Sequence, residues 1–219
     1  MGSKFFALIT AIFTIFSNAN QYILGISTLY SSIYVLQIKN LRAEENKNIS
    51  SIAKEITVRI EGAIQGSGVI VNKKKNIYTV LTAWHVIKDF LPEEEVEIIT
   101  SDNKTHSWIP KSKKRLNNKV DLALLKFESN QNYKIAKIGS KKIIQNDKIF
   151  VSGFPIRKEA IEIPIFLFKE GKVEGNSSVY IDEGYQLLYS NLTLEGMSGG
   201  SILDNDGYLI GIHGRAVLH

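Results

Sequence analysis

The chain has 219 residues, of which 44% are hydrophobic and 22% charged. That composition excludes a disordered or fibrous chain and leaves enough apolar material for a sizeable core in one or two domains. There is no cysteine, so disulfides, thiolate zinc sites and a cysteine nucleophile are excluded. The formal charge is +5, but residues 1–43 contain Lys4, Lys39 and Arg42 and no acid, leaving 24 basic and 22 acidic residues in a mildly basic remainder. The clusters Lys73-Lys74-Lys75 and Lys111 to Arg115 lie among Asn and Ser between strand-like runs. No interleaved aromatics or reader motif accompany them, so they read as solvated loops, and no nucleic-acid partner is expected.

Residues 1–43 read as a leader. Lys4 precedes an apolar run from Phe5 to Phe16, and Ser17-Asn18-Ala19 follows. A basic start, a short apolar core and small residues describe a secretory signal, with cleavage after Ala19 as the simplest outcome. A second apolar stretch, Tyr22 to Ile38, has 17 residues, at the short limit for a membrane span. A long signal ending near Ala43, a short signal plus an anchor, and an uncleaved anchor all remain open. Each exports the body to a periplasmic or extracellular location or tethers it to a membrane.

The body reads as short strands. Asn46 to Lys54 suggests a short helix, and Ile56 to Glu61 alternates apolar and polar residues as a strand with one buried face. Gly66-Ser67-Gly68 implies close backbone packing ahead of a strand over Val69 to Val71. Ile77 to Thr82 is a strand that delivers Ala83-Trp84-His85 into a helical turn. Further strands are expected at Val96 to Thr100, around Trp108 and at Asp121 to Phe127, with Lys111 to Lys119 a loop. Ser129 to Asp147 is more polar and reads as a connection between two halves. Strand-like runs resume at Ile149 to Ser152, Phe166 to Lys169, Ser178 to Ile181 and Tyr185 to Ser190, then Ser201 to Leu203 and Tyr208 to Ile212. Asp204-Asn205-Asp206-Gly207 is a strong hairpin signal between the last two. Many short strands with little helical periodicity indicate an all-β barrel or sandwich.

Three local contexts carry chemistry: His85 after an apolar strand, Asp121 at the mouth of Leu122-Ala123-Leu124-Leu125, and Ser198 within Gly196-Met197-Ser198-Gly199-Gly200. A serine hydroxyl is a poor nucleophile until a base takes its proton, and histidine is the base that titrates near neutrality. A buried carboxylate fixes the imidazole tautomer. Gly196, Ser198 and Gly200 also fit the nucleophile elbow of α/β-hydrolases, but that fold needs its acid and histidine after the serine, and only 21 residues follow Ser198. Four histidines, His85, His106, His213 and His219, show no metal-ligand spacing, so no metal or other cofactor is expected.

Thr82-Ala83-Trp84-His85, Asp121 to Leu125 and Gly196 to Gly200 resemble the three signatures of trypsin-like serine peptidases with the chymotrypsin fold. Gly66 to Val71 and Ser152-Gly153-Phe154-Pro155 are similar to segments of the bacterial branch, HtrA-type and glutamyl endopeptidase-like enzymes among them. The resemblance implies two packed six-stranded antiparallel β-barrels with the site between them: a first barrel over 44–128, a connection over 129–148 and a second barrel over 149–219. It implies that His85 is the general base, that Asp121 orients it, that Ser198 is the nucleophile, and that the N–H groups of Gly196 and Ser198 form an oxyanion hole. The implied activity is hydrolysis of protein or peptide substrates through an acyl-enzyme. The alternative is a non-catalytic peptide-binding or scaffold module on a truncated form of the fold.

In the resembling family the specificity pocket is lined just upstream of the serine and by the strand after it, which here gives Thr193, Glu195, His213, Gly214 and Arg215. Thr193 with His213 is similar to the pair that holds an acidic side chain in glutamyl endopeptidases, so a preference for Glu or Asp before the scissile bond is expected. Glu195 opposes it by like charge, and Arg215 offsets Glu195. Met197 stands where tryptic zymogens carry an aspartate, so activation by a new N-terminus is not expected. The family normally adds a strand after the one that ends here near Gly214, so a second barrel with an open edge is a further expectation.

Overall fold

The computed structural model describes residues 31–156, 165–177, 179 and 182–215. The chain divides into two units, Met1–Asn48 and Ile49–His219. In the first, residues 31–48 are helical, and Ile33, Tyr34, Val35, Leu36 and Leu41 are exposed. Among the described residues no helix is long and apolar enough to cross a membrane. The expected signal, Phe5 to Ala19, lies outside the described residues, as does Tyr22 to Tyr30 of the second apolar stretch.

The second unit begins with helical residues 49–56 (α1), followed by β1 (Thr57–Glu61), β2 (Gly66–Lys74), β3 (Ile77–Thr82), α2 (Trp84–Ile87), β4 (Glu97–Ile99), β5 (Thr105–Ser107), β6 (Lys114–Arg115) and β7 (Ala123–Glu128). These strands form a seven-stranded antiparallel sheet in the order β5-β4-β1-β2-β3-β7-β6. β8 (Lys148–Gly153), β9 (Leu167–Asn176), β10 (Leu187–Tyr189), β11 (Ser201–Asp204) and β12 (Leu209–Ile212) form a five-stranded sheet in the order β10-β9-β8-β11-β12. Both sheets are curled into half-barrels, the two-barrel chymotrypsin-like architecture.

Among the described residues the two sheets have seven and five strands, where the resemblance implied six in each barrel. The loop expected over Lys111 to Lys119 contains the two-residue β6, which pairs with β7 and adds an edge to the first sheet. The strand expected over Ser178 to Ile181 falls, apart from Val179, outside the described residues. Trp108 forms a single bridge to Phe127 rather than a strand, because β5 ends at Ser107. β9 runs for ten residues, well beyond the expected Phe166 to Lys169, since its whole length finds partners on β8 and β10.

The alternation read from the sequence is realised in β3, whose Tyr78, Val80 and Thr82 are buried, and in β7, which buries Ala123, Leu125 and Phe127. The facing pair Tyr78 and Phe127 stacks with ring centroids 5.1 Å apart, at the heart of the first core. In α1, Ile49, Ala53 and Ile56 recur at the spacing of one helical face. That face packs with Val69 of β2 and with Phe150, Leu203 and Leu209 of the second sheet, so α1 joins the two halves of this unit. Full burial of each isoleucine contributes about 1.5–3 kcal/mol. Between the sheets, hydroxyls replace some of the apolar packing: the Oγ1 of Thr57 lies 3.1 Å from the Oγ of Ser152, which lies 2.6 Å from the Oγ of Ser201, all buried. The β11–β12 hairpin turns at Asp204 to Gly207, where the Asp204 carboxylate accepts the N–H groups of Asp206 (3.0 Å) and Tyr208 (2.9 Å).

Candidate active site

The antiparallel pairing Thr82↔Ala123 puts the end of β3 beside the beginning of β7. Residues just after Thr82 therefore meet residues just before Ala123, which is how His85 and Asp121 come together across 36 positions of sequence. The His85 backbone N–H donates to one Asp121 carboxylate oxygen at 2.8 Å, and its ring Nδ1–H donates to the other at 2.6 Å. The Trp84 N–H donates to the Asp121 carbonyl at 3.2 Å, so the acid holds the first turn of α2 as well as the ring. The Asp121 side chain is only 2% exposed, the His85 side chain 28%. Burial pushes the Asp121 carboxyl upward, but hydrogen bonds from His85 and from the hydroxyl of Tyr185 outweigh it and hold the group below its usual range. Asp121 is therefore an anion, and His85 carries its ring proton on Nδ1, with Nε2 left to accept.

Ser198 is placed by backbone contacts. Ser67, between the two glycines of β2, donates its N–H to the Ser198 carbonyl at 2.8 Å and its Oγ–H to the Gly196 carbonyl at 3.0 Å. The same Oγ accepts the Phe154 N–H at 2.9 Å. On the other side, Gly199 N–H donates to the His213 carbonyl at 2.7 Å and His213 N–H to the Gly200 carbonyl at 2.9 Å. A Cβ on Gly199 would collide with the Ser67 carbonyl and the Thr82 hydroxyl, and the residue sits at φ +88°, so only glycine fits. The Ser198 hydroxyl donates to the Gly214 carbonyl at 2.8 Å. Among the described residues it makes no hydrogen bond to His85. Gly196 has φ +90°, and neither its N–H nor that of Ser198 donates to a described residue, so both are free to meet an oxyanion.

A family model for a trypsin-like peptidase domain matches residues 66–212, which span every element just described from β2 to β12. The chain belongs to the trypsin-like peptidase family. It is a serine endopeptidase whose substrates are proteins or peptides. The fold is similar to that of Deg5 (TM-score 0.64, 21% identity, covering 80% of this chain and 86% of that one). It is also similar to the Rv3671c protease of M. tuberculosis in an inactive form (TM-score 0.59, 17% identity, 80% and 84% covered). No curated protein sequence matches the chain.

The residues expected to set the peptidase's specificity do not all share one wall. Gly214 and Arg215 line a cleft of about 310 Å³ together with Asp121, Tyr185 and Tyr189. Thr193, Glu195 and His213 are not among its lining residues. Thr193 is half-buried and Glu195 exposed. Arg215 pairs with Glu183, so its charge is already engaged and is not free to offset Glu195. His213 is 2% exposed, with Nδ1 2.5 Å from the Tyr189 hydroxyl. Burial, with a smaller contribution from His85, pushes its pKa down to about 4, so the ring is neutral near pH 7. Burial pushes the Tyr189 hydroxyl the other way, so it keeps its proton and donates it to Nδ1. Met197 is fully buried in the core with Ile149, Val151 and Ile202, an apolar anchor where a tryptic zymogen has a charge.

Ser67, Tyr185 and Tyr189 escaped the sequence reading as functional residues. Gly66 and Gly68 signalled a close approach at Ser67, and the partner they approach is the loop over Gly196 to Ser198. Neither tyrosine had a local signal, because each reaches its partner from a distant strand or turn.

Proposed function

We propose that the peptidase hydrolyses peptide bonds with His85 as general base, Asp121 as the group that orients it, and Ser198 as nucleophile. The observation that carries this reading is the doubly hydrogen-bonded His85–Asp121 pair, with bonds of 2.8 and 2.6 Å, in a chain whose Ser198 sits in a loop where two N–H groups donate to no described residue. In the resting state Ser198 is parked on the Gly214 carbonyl. Rotation of its side chain toward Nε2 lets His85 take the hydroxyl proton as the oxygen attacks the scissile carbonyl. The N–H groups of Gly196 and Ser198 meet the oxyanion. His85 then gives the proton to the leaving amine, and water releases the acyl group by the same steps in reverse. Asp121 stays ionised and stabilises the imidazolium.

The residue before the cut is proposed to be Glu or Asp. With Tyr189 donating to Nδ1, the neutral His213 ring carries its proton on Nε2 and supplies a donor suited to a carboxylate. Thr193 supplies a second donor. Glu195 is exposed and therefore weakly repulsive. Among the described residues Met197 packs without a charged partner, which supports a domain competent without a newly cut N-terminus. The basic, apolar leader supports export or tethering to a membrane. Cleavage of a mixed-sequence peptide library tests the specificity: enrichment of Glu or Asp immediately before the cut is expected, and a profile led by Arg, Lys or aromatics would contradict it. N-terminal sequencing of protein recovered from the exporting cell locates the leader's fate.

A further inference from the structure

We propose that Tyr185 is a positioning residue of the catalytic site: from the turn before β10 of the second sheet, its hydroxyl holds the Asp121 carboxylate, which the first sheet supplies. This inference rests on the assignment of His85, Asp121 and Ser198 above. Asp121 Oδ2 receives both the His85 ring N–H and the Tyr185 hydroxyl, while Oδ1 receives the His85 backbone N–H. Without the phenol, a carboxylate that is 2% exposed would be left, among the described residues, with His85 as its only side-chain partner. Burial and the adjacent carboxylate push the phenol far above the usual tyrosine range, so it keeps its proton and acts only as a donor.

The turn is built for this contact. The Asp121 N–H donates to the Glu183 carbonyl at 2.8 Å, which docks the turn against the acid by its backbone as well. Glu183 adopts φ 57°, a left-handed conformation that non-glycine residues rarely take. Its side chain meets Arg215, whose guanidinium lies 5.6 Å from the centre of the Tyr185 ring, and Arg115 at 3.8 Å. The ring itself occupies the space that a side chain on residue 214 would need: a Cβ on Gly214 would collide with Cε1 of Tyr185. Gly214 is also the residue whose carbonyl parks Ser198. One tyrosine thus touches the acid of the proposed triad and packs against the resting position of the nucleophile.

The test compares wild-type protein with Tyr185→Phe and Gly214→Ala, using the rate of fluorophosphonate labelling, kcat/KM on a peptide substrate across pH, and melting temperature. Tyr185→Phe keeps the ring and loses only the donor. Its labelling rate and kcat/KM are expected to fall about 10- to 100-fold, the range for a hydrogen bond to a charged group, with the loss in kcat rather than KM. The acidic limb of the pH profile is expected to move to higher pH, because Asp121 with one donor fewer holds a proton more tightly. The charged and titratable groups around the His85–Asp121 pair, Glu183, Arg215, Arg115 and His213, are unchanged in Tyr185→Phe. Gly214→Ala, which displaces the ring, is expected to move the limb the same way. A merely structural tyrosine would lower the melting temperature and leave the limb in place, and that result overturns the proposal. Absence of labelling in folded wild-type protein would overturn the triad assignment itself and this inference with it, whereas labelled wild type with an unshifted Tyr185→Phe profile would overturn this inference alone.

Discussion

The two halves of the site are held by different means. The His85–Asp121 half is fixed around a side chain: three hydrogen bonds converge on one buried carboxylate, two from His85 and one from Tyr185 in the turn before β10. The Ser198 half is fixed by main chain: Ser67 grips the loop at Gly196 and Ser198, and glycine at 199 lets it come close. The first arrangement fixes protonation and orientation, which the proposed base requires. The second leaves the N–H groups of Gly196 and Ser198 without an acceptor among the described residues, which the proposed oxyanion hole requires. Substitutions in the first half are therefore expected to change rate and its pH dependence, and those at Ser67 and Gly199, which hold the second, to change stability as well as rate.

The largest effect tests both halves at once. Ser198→Ala and His85→Ala are each expected to lower kcat by about 10⁶-fold with little change in melting temperature, measured by steady-state cleavage and calorimetry. Asp121→Asn is expected to cost about 10⁴-fold, because the amide holds the wrong imidazole tautomer. If Asp121→Asn proved as active as wild type, the side-chain half of the comparison would fall.

The main-chain half is sharpened by Gly199→Ala and Ser67→Ala. The first forces a Cβ into the Ser67 carbonyl at φ +88°, with overpacking alone costing about 1–3 kcal/mol. The second strands the Gly196 carbonyl and the Phe154 N–H, at about 1–3 kcal/mol for a buried group left unsatisfied. Denaturant titration reads both, and in each the fall in kcat should accompany a fall in stability. A Ser67→Ala protein of unchanged stability would show that the loop is held by something else.

The smallest effect is on acid stability. His213 has its pKa lowered from 6.5 to about 4 by burial and by His85. Between those values the unfolded chain binds a proton that the folded chain refuses, so stability is full above pH 6.5 and falls as pH drops toward 4. Asp121 adds a second loss at lower pH, since its folded carboxyl lies below the ordinary 3.8 and the stability of its ionised form vanishes as pH falls through the folded value. The melting temperature of His213→Gln should therefore depend less on pH between 6.5 and 4 than that of wild type.

Much of this was legible before any coordinates. Alternation placed β1 and β3 within a residue or two, and Asp204 to Gly207 marked the last hairpin. The three motifs drew attention to His85, Asp121 and Ser198, and the fold brings the first two into hydrogen-bond contact; their catalytic roles remain the proposal made above. What stayed hidden was non-local. β6 is two residues long and exists only because β7 offers an edge, and no periodicity can show itself over two residues. Tyr185 touches Asp121 across 64 positions, and nothing around it in the sequence announces that reach. Arg215, read as free to balance Glu195, is claimed by Glu183 from a turn whose approach the sequence does not encode locally.

The central claim is that one serine among many is activated by one histidine. Mass spectrometry of the protein after fluorophosphonate treatment tests it directly. A single adduct on Ser198, absent in His85→Ala at the same exposure, is the predicted result; folded wild-type protein with no adduct, or with its adduct on another residue, would contradict it.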